Sequence, residues 1–524
     1  HYNISLDIGA DYSEITESRY AVAITGMLHI DLARFIALTR TEDTLQAVTN
    51  ELLDIKTEQA ETADLTAMDR EKLSKLAGSA LRDSELIYKL LGFYYTTILE
   101  LSKLSGMTAF DIVRRGTSAI VENYLMARAG EFGEIIPNKP TKEEIGRREG
   151  ETFEGAFVLA PNPGLYENVA VFDFKSLYPS IIVTYNISPT TMGCECCTTQ
   201  FCQKRKGFIP AVLEELIARR QRILEILKEN KDKQLEAREQ SLKLLSNSFY
   251  GYLGFSAARW YSAECARIIT GHGREVIQKI IEQAKNAGFD VVYSDTDSIF
   301  VLPNSKEKSG AADFLNNVNF SLPKPMELEL EDIYPRALFV GLKVGEEGAK
   351  KKYALLTSKG TVKIKGFAAV KRNYSVIARD VQRTVLQIIL AEKNPEKAAD
   401  FVRYIVDELK NKRIPLDKVV IYTQLQKKLD EYETITPYVA VARKLKQDGM
   451  DVSPGYLVRY VITEHGEKIS DSARLPEETK QSEYDSDYYV HNQVVPAVEK
   501  IFDVFGISTD DLLEKDQSKL SKFF

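Results

Sequence analysis

Two aspartates in the segment YSDTDS, Asp295 and Asp297, are separated by one residue and flanked by the apolar runs DVVY and SIFVL. In extended backbone such a pair projects to the same side. Carboxylates about 4 Å apart at an effective dielectric of about 20 repel by about 4 kcal/mol, which calls for a cation or a retained proton. A third aspartate, Asp173, lies at the end of the apolar run VAVFDF, and Pro179 prevents that strand from simply continuing. Taken alone, Asp-x-Asp is more often a solvated turn, since turns favour aspartate. With a third carboxylate converging from another strand, and no histidine or cysteine nearby, the set reads as a hard-oxygen site for Mg2+, with Mn2+ as a substitute, and not for zinc. Its chemistry is phosphoryl transfer: one ion lowers the pKa of an attacking hydroxyl, and a second holds a triphosphate and the departing pyrophosphate.

The elements that must position these residues are short strands and one helix pair. VAVFDF reads as a strand and DVVYSDTDSIFVL as a β-hairpin with an acidic tip. Between them, from Pro210 to Tyr250, apolar residues recur at helical spacing around a polar break at Glu229–Lys233, predicting two antiparallel helices. On the second, Lys243, Asn247 and Tyr250 fall at i, i+4 and i+7, on one face. Further helices are expected over Thr44–Leu53, Ser84–Leu101, Glu264–Gly288, Val376–Lys393 and Ala398–Lys412, and a strand over Tyr20–Ile30. The polar, proline-punctuated stretch Ile135–Glu151 marks a first boundary.

A chain of 524 residues implies several domains. Its balance of 44 % hydrophobic and 28 % charged residues is that of a globular protein, and no run approaches the roughly 18 apolar residues of a membrane helix. The net charge of −7 gives no global support for nucleic-acid binding, yet Lys343–Arg372 holds nine cations against two acids. Five cysteines do not make a secreted disulfide scaffold, and HYNISLDIGA lacks a signal-peptide pattern, so a cytoplasmic, nucleoid-associated location is expected. The chain opens on His, so processing or missing upstream sequence is expected too.

The ordered set DFKSLYPS (Asp173–Ser180), KLLSNSFYG (Lys243–Gly251) and YSDTDS (Tyr293–Ser298) resembles the A, B and C motifs of family B DNA polymerases of the archaeal replicative type. The similarity continues through IPNKPTKEE near residue 140, GFIPAVLEELIARRQ from Gly207, KKKYALL from Lys350 and TPYVAVARKL from Thr436. It implies an α/β right-hand core. The palm would span 150–207 and 258–347, interrupted by two-helix fingers at 208–257. A thumb would follow at 348–516, behind a partial RNase H-like exonuclease region at 1–110 and a linker at 111–149.

The resemblance implies template-directed transfer of deoxynucleotides to a primer 3′-OH. Asp173 and Asp297 would be the principal ligands of both ions, Asp295 a weaker one, and Phe174 would add its carbonyl. The amides of Ser176 and Leu177 would face the triphosphate, and Tyr178 would be the steric gate against a ribose 2′-OH. Arg220 and Lys243 would bind the triphosphate, and Asn247 and Tyr250 the nucleotide and nascent base pair. Lys351, Lys352 and Tyr353, followed by Lys363 and Lys365, match the primer-contacting elements. In FEGAFV, Gly155 belongs to a template-contacting motif in which Phe153 replaces the usual Tyr. The terminal QSKLSKFF carries Gln517, Leu520, Phe523 and Phe524 at the spacing of a sliding-clamp box.

Departures from the pattern are equally specific. SALRD puts Asp83 at the third exonuclease motif, but Ser79 stands in place of that motif's Tyr, and Asp7-Ile8-Gly9 mimics the first motif without its Glu. The chain alone is therefore expected not to proofread; a missing upstream segment or a further polypeptide would complete the domain. The resemblance also implies a disulfide between Cys194 and Cys202, while the second family pair is reduced to Cys265 opposite Ser262. Unbonded thiols, or zinc cued by Cys194 and Cys197, remain open. Glu327, Glu329 and Glu331 alternate on one strand face and read as a solvated edge, unless one approaches the ions. Two rival functions are a catalytically silent DNA-binding subunit and an enzyme copying an RNA template.

Overall fold

A computed structural model describes residues 15–18, 21–24, 30–39, 45–53, 55, 70–302, 309–342, 348–371, 373–450, 452–466 and 468–513. The chain is mixed α/β. Its first elements are a two-stranded ladder, β1 (Ile15–Ser18) and β2 (Ala21–Ile24), and helices α1 (Leu32–Thr39), α2 (Leu45–Leu53), α3 (Arg70–Ser105), α4 (Ala109–Arg115), α5 (Thr117–Ala129) and α6 (Lys142–Glu149). The expected strand Tyr20–Ile30 is described only as Ala21–Ile24. The helix expected over Ser84–Leu101 is the centre of the longer α3, whose buried Leu90, Tyr94, Ile98 and Leu101 follow the 3.6 period onto one face. Thr141 and Glu144 close a reciprocal capping box that starts α6 after the polar boundary stretch.

The site is built on a seven-stranded antiparallel sheet. Its strands are β3 (Val158–Leu159), β4 (Gly164–Phe174), β5 (Asp290–Asp295), β6 (Ser298–Leu302), β7 (Leu328–Gly341), β8 (Gly348–Leu356) and β9 (Val362–Lys365), in the order β3-β5-β6-β4-β7-β8-β9. β4 lies near the middle of the order, so its run Val169–Phe172 is buried on both faces, which explains the continuous apolar sequence. One face carries Val171, Tyr293, Phe300, Tyr334 and Phe339; the other joins the larger core shared with the helices. The sheet does not stop at the expected boundary between 347 and 348. β8 pairs with β7, and β9 with β8, so residues 348–365 are continuous with the strands that carry the acids.

After β4 come α7 (Leu177–Thr184), α8 (Phe208–Glu229), α9 (Lys233–Leu253) and α10 (Ala263–Asn286). The helix pair falls where periodicity puts it, with Asp232 capping α9 through hydrogen bonds from the amides of Gln234 and Leu235. Helix α11 (Ser309–Ser321) precedes β7. Beyond the sheet, α12 (Val376–Glu392) and α13 (Pro395–Lys410) open a second core, built against Leu338 and Val340 of β7 and Ala354 and Leu356 of β8, that also includes the small sheet strands Ile421–Gln424 and Leu457–Ile462. Among the described residues, no helix is long and apolar enough to cross a membrane.

Candidate active site

Asp173, the penultimate residue of β4, is paired with Ser298 of β6 on one side and Glu329 of β7 on the other. The Phe174 amide donates to the Asp297 carbonyl at 3.0 Å, so two segments distant in sequence are locked side by side. The β5–β6 connection is very tight: the Asp297 amide donates to the Asp295 carbonyl at 2.7 Å across Thr296, whose φ is 59°. The Asp295 carboxylate accepts from the Thr296 hydroxyl at 3.0 Å and the Tyr293 hydroxyl at 3.4 Å, and Lys351 Nζ lies 3.3 Å away. Its oxygens thus already serve protein donors, a physical reason for a lesser role towards a cation.

Burial, then the charges of Asp297, Glu331 and Glu329, push the Asp173 carboxyl up to about 7 against the pull of Lys243. Burial likewise raises Asp297 to about 6; its own backbone amide opposes the rise, Asp295 adds to it, and Lys243 and Lys351 relieve it. The carboxylate oxygens of Asp173, Asp295 and Asp297 do not all lie within 4.8 Å of one another. The donor chemistry nonetheless suits a hard cation: oxygen ligands, half-buried and mutually repelling until a positive charge arrives. A folded-state pKa above the unfolded one means that ionising Asp173 destabilises the fold, an effect absent below about pH 4 and fully developed above about pH 7. Asp173→Asn is therefore expected to raise the Tm of the metal-free protein at pH 8 by a few degrees, with the gain shrinking at pH 5. Thermal melts at both pH values in chelator check this.

The Glu327, Glu329, Glu331 series is not simply a solvated edge. Lys175 Nζ bridges Glu327 at 2.7 Å and Glu329 at 3.5 Å. A register shift between Val171 and Phe172 leaves Glu331 without a β4 partner, and its charge acts on Asp173. The alternation is visible in sequence, but the bulge that leaves Glu331 unpaired is not.

Along α9, Lys243 and Asn247 are exposed and Tyr250 half-buried, lining an open groove with Gly251 and Phe255. The Tyr178 ring sits 4.5 Å from that of Tyr250, and a Cβ at Gly273 would come within 3.0 Å of Tyr178 Cε1. The ring is therefore wedged between α9 and α10. Ser176, at φ 60°, turns the chain from β4 into α7, whose first turn leaves the Leu177 amide outside the helical ladder. Arg220 is not poised in the open. Its Nε donates to Glu239 at 2.7 Å and its Nη1 to the Ser176 hydroxyl at 3.1 Å, with only 13 % of the side chain exposed. Nothing in the sequence marks Glu239 among the acids of α9; only the packing of α8 on α9 pairs it with Arg220.

The basic flank is uneven. Lys351 is exposed and at φ 61°, Lys352 Nζ lies 5.1 Å over the Phe367 ring, and Lys365 is exposed on β9. Lys363 is engaged by Glu331 at 3.1 Å and by the Tyr334 hydroxyl at 2.6 Å. Tyr353 packs its ring against Tyr293, Phe300 and Phe339, so most of it serves the core. Gly155 is exposed, its carbonyl accepting from Arg274 Nη1 at 2.6 Å. Asp83 lies part-exposed on α3. Asp7, Lys343, Arg372 and the clamp-box residues Gln517, Leu520, Phe523 and Phe524 lie outside the described residues.

The cysteines require a correction. No disulfide joins Cys194 and Cys202: both are unbonded, as are Cys196, Cys197 and Cys265. The loop instead gathers four sulphurs, those of Cys194, Cys196, Cys197 and Cys202, within 4.8 Å of one another. Cys265 is buried at the start of α10, where Ser262 caps its amide, so the residue standing in for the second half-cystine serves as an N-cap.

Comparison with known proteins agrees with this arrangement. The profile of the family described as DNA polymerase family B matches residues 108–505. A DNA polymerase of Pyrococcus glycovorans is 37 % identical over 97 % of this chain and 68 % of its own. That of Archaeoglobus fulgidus is 34 % identical over 100 % and 69 %. The solved family B DNA polymerase of the hyperthermophilic archaeon Pyrobaculum calidifontis superposes with a TM-score of 0.74 at 31 % identity, covering 94 % of this chain and 65 % of that one. The chain belongs to DNA polymerase family B. It is of the archaeal type, its class that of a DNA-directed DNA polymerase, and it spans about two thirds of the length of these relatives.

Proposed function

We propose that this chain extends a primer 3′-OH by deoxynucleotides on a DNA template, with two divalent ions at Asp173 and Asp297, as a replicative enzyme tethered to a sliding clamp. The observation that carries the reading is the register that sets Asp173 beside Asp297 with the charge of Lys243 acting on both. The strands β3–β9 act as palm, α8 and α9 as fingers, and the C-terminal core as thumb. Asp173 and Asp297, with the Phe174 carbonyl, would hold two Mg2+ ions, which when bound activate the primer hydroxyl and steady the triphosphate. The Leu177 amide and Lys243 meet the triphosphate from two sides. Arg220 would exchange Glu239 for it, so that an incoming nucleotide competes with an internal carboxylate and is gripped only after that pair opens. Asn247 and Tyr250 would flank the base, and Tyr178 the sugar.

One primer-extension assay with Mg2+, on DNA and on RNA templates, tests the reading. Extension on DNA alone supports it. No extension on either template leaves a DNA-binding subunit, and equal extension on both makes the enzyme template-indifferent. The tether is tested separately: deleting 517–524 should remove stimulation by a sliding clamp and leave unassisted extension unchanged. Primer–template duplex is held through phosphates, so binding should weaken with salt. Lys365→Ala is expected to lower the slope of log K against log salt by about 0.9, the value of one lost phosphate contact, and Lys363→Ala by less, because Glu331 already offsets that charge. A salt titration of both variants by fluorescence anisotropy measures the difference.

A further inference from the structure

The hairpin 192–206, which links α7 to α8, has little apolar material of its own: only Phe201 and Cys202 are buried. Its base is well fastened. Met192 bridges Phe201, the Gly193 amide donates to the Gln200 carbonyl at 3.0 Å, and the Cys202 amide donates to the Thr191 carbonyl at 2.8 Å. Asn186 ties the exit of the hairpin to the start of α8: its Nδ2 donates to the carbonyls of Cys202 at 2.6 Å and Arg205 at 2.8 Å, and its Oδ1 accepts from the Gly207 amide at 2.8 Å. Four cysteines, three in the turn and Cys202 on the returning limb, take the place of a core. Cys196 Sγ is 3.6 Å from Cys194, 3.7 Å from Cys197 and 3.5 Å from Cys202, and all four sulphurs lie within 4.8 Å.

We infer that Cys194, Cys196, Cys197 and Cys202 form a closed tetrathiolate site for one structural Zn2+, which pins the connection between α7 and α8. A tetrahedron with Zn–S bonds of about 2.3 Å has edges of about 3.8 Å, close to the three separations from Cys196, and the other three fall within 4.8 Å. A cubane iron–sulphur cluster would spread its four ligands wider. The Gln203 amide points at Cys197 Sγ at 3.4 Å, an N–H···S contact that favours a thiolate. Zn2+ binding releases four thiol protons to solvent and leaves a centre of charge −2. Lys204, Arg205 and Lys206 follow directly in sequence, against the single acid Glu195. Four protein ligands leave no open coordination position, so the site is structural and not catalytic. A small polar hairpin without a core is the setting in which such a staple contributes most.

The test is elemental analysis of the purified full chain after gel filtration in metal-free buffer. About one zinc per chain is expected, released by an organomercurial as the four thiols react. Cobalt-substituted protein should show the intense visible bands of tetrahedral tetrathiolate Co2+. Cys197→Ser and Cys202→Ser should lose the zinc and melt at lower temperature, whereas Cys265→Ser should retain it. A Cys194–Cys202 disulfide in a non-reducing peptide map, iron in place of zinc, or four titratable thiols with no bound metal in the wild-type protein would each overturn the inference. The wild-type measurement stands even if a variant fails to fold, and none of these results depends on polymerase activity.

Discussion

Asp297→Ala and Asp173→Ala are each expected to reduce primer extension by about four orders of magnitude, the scale on which an obligatory catalytic group acts, while primer–template binding changes little. The separation follows from where the charges sit. Both carboxylates are half-buried, Asp173 near the end of β4 and Asp297 in the turn between β5 and β6, and other acids lie close by, so they add repulsion, not attraction, towards phosphates. The lysines proposed to face DNA lie on β8 and β9. Single-turnover extension and anisotropy on the same preparations check the pair of effects. Extension above about one hundredth of wild type in either variant would remove that residue from the chemistry. Because each alanine also relieves burial of a charge, neither variant should fail by unfolding, and Asp173→Asn should be more stable than wild type above pH 7. Loss of activity joined to a gain in stability separates a functional residue from a structural one.

Tyr178→Ala is expected to raise incorporation of ribonucleotides relative to deoxynucleotides by about two orders of magnitude with little change for the deoxynucleotide. The ring is wedged between Tyr250 and the approach permitted by Gly273, so it cannot swing aside to admit a 2′-hydroxyl. Removing it opens the volume that the hydroxyl would fill. Tyr178→Phe is the companion variant: it keeps the ring and loses only the phenol oxygen, so it should keep the discrimination. Competition assays with paired nucleotides read the ratio directly. If alanine leaves it unchanged, some other group rejects the ribose; if phenylalanine abolishes it, the phenol oxygen and not the ring edge is responsible.

Much of this was legible in the chain because it is local. Alternating and continuous apolar runs declare β4, β5 and β6, the 3.6 period declares α8 and α9, and the one-residue spacing of Asp295 and Asp297 puts them at a hairpin tip. The shared face of Lys243, Asn247 and Tyr250 needs only helical geometry. That the sheet continues past 347/348 is not legible in the chain, because whether the next strand joins an existing sheet is decided by its partner, not by its composition. The disulfide expectation failed for a related reason. Sequence shows which cysteines exist, but the bridge across Met192 and Phe201 decides which sulphurs meet, and it gathers four.

By itself, then, the sequence determined the donor chemistry of the acidic centre, the helix face that confronts it and the tyrosine beside it, since these depend on residue type and on periods of two and 3.6. The tertiary structure alone decided that Arg220 is held by Glu239, that a bulge leaves Glu331 without a β4 partner and in the grip of Lys363 and Tyr334, and that Asp295 is occupied by Tyr293, Thr296 and Lys351. Those choices arise where elements far apart in the chain pack together, and a contact between them is selected by shape and charge across the interface, which no local spacing encodes.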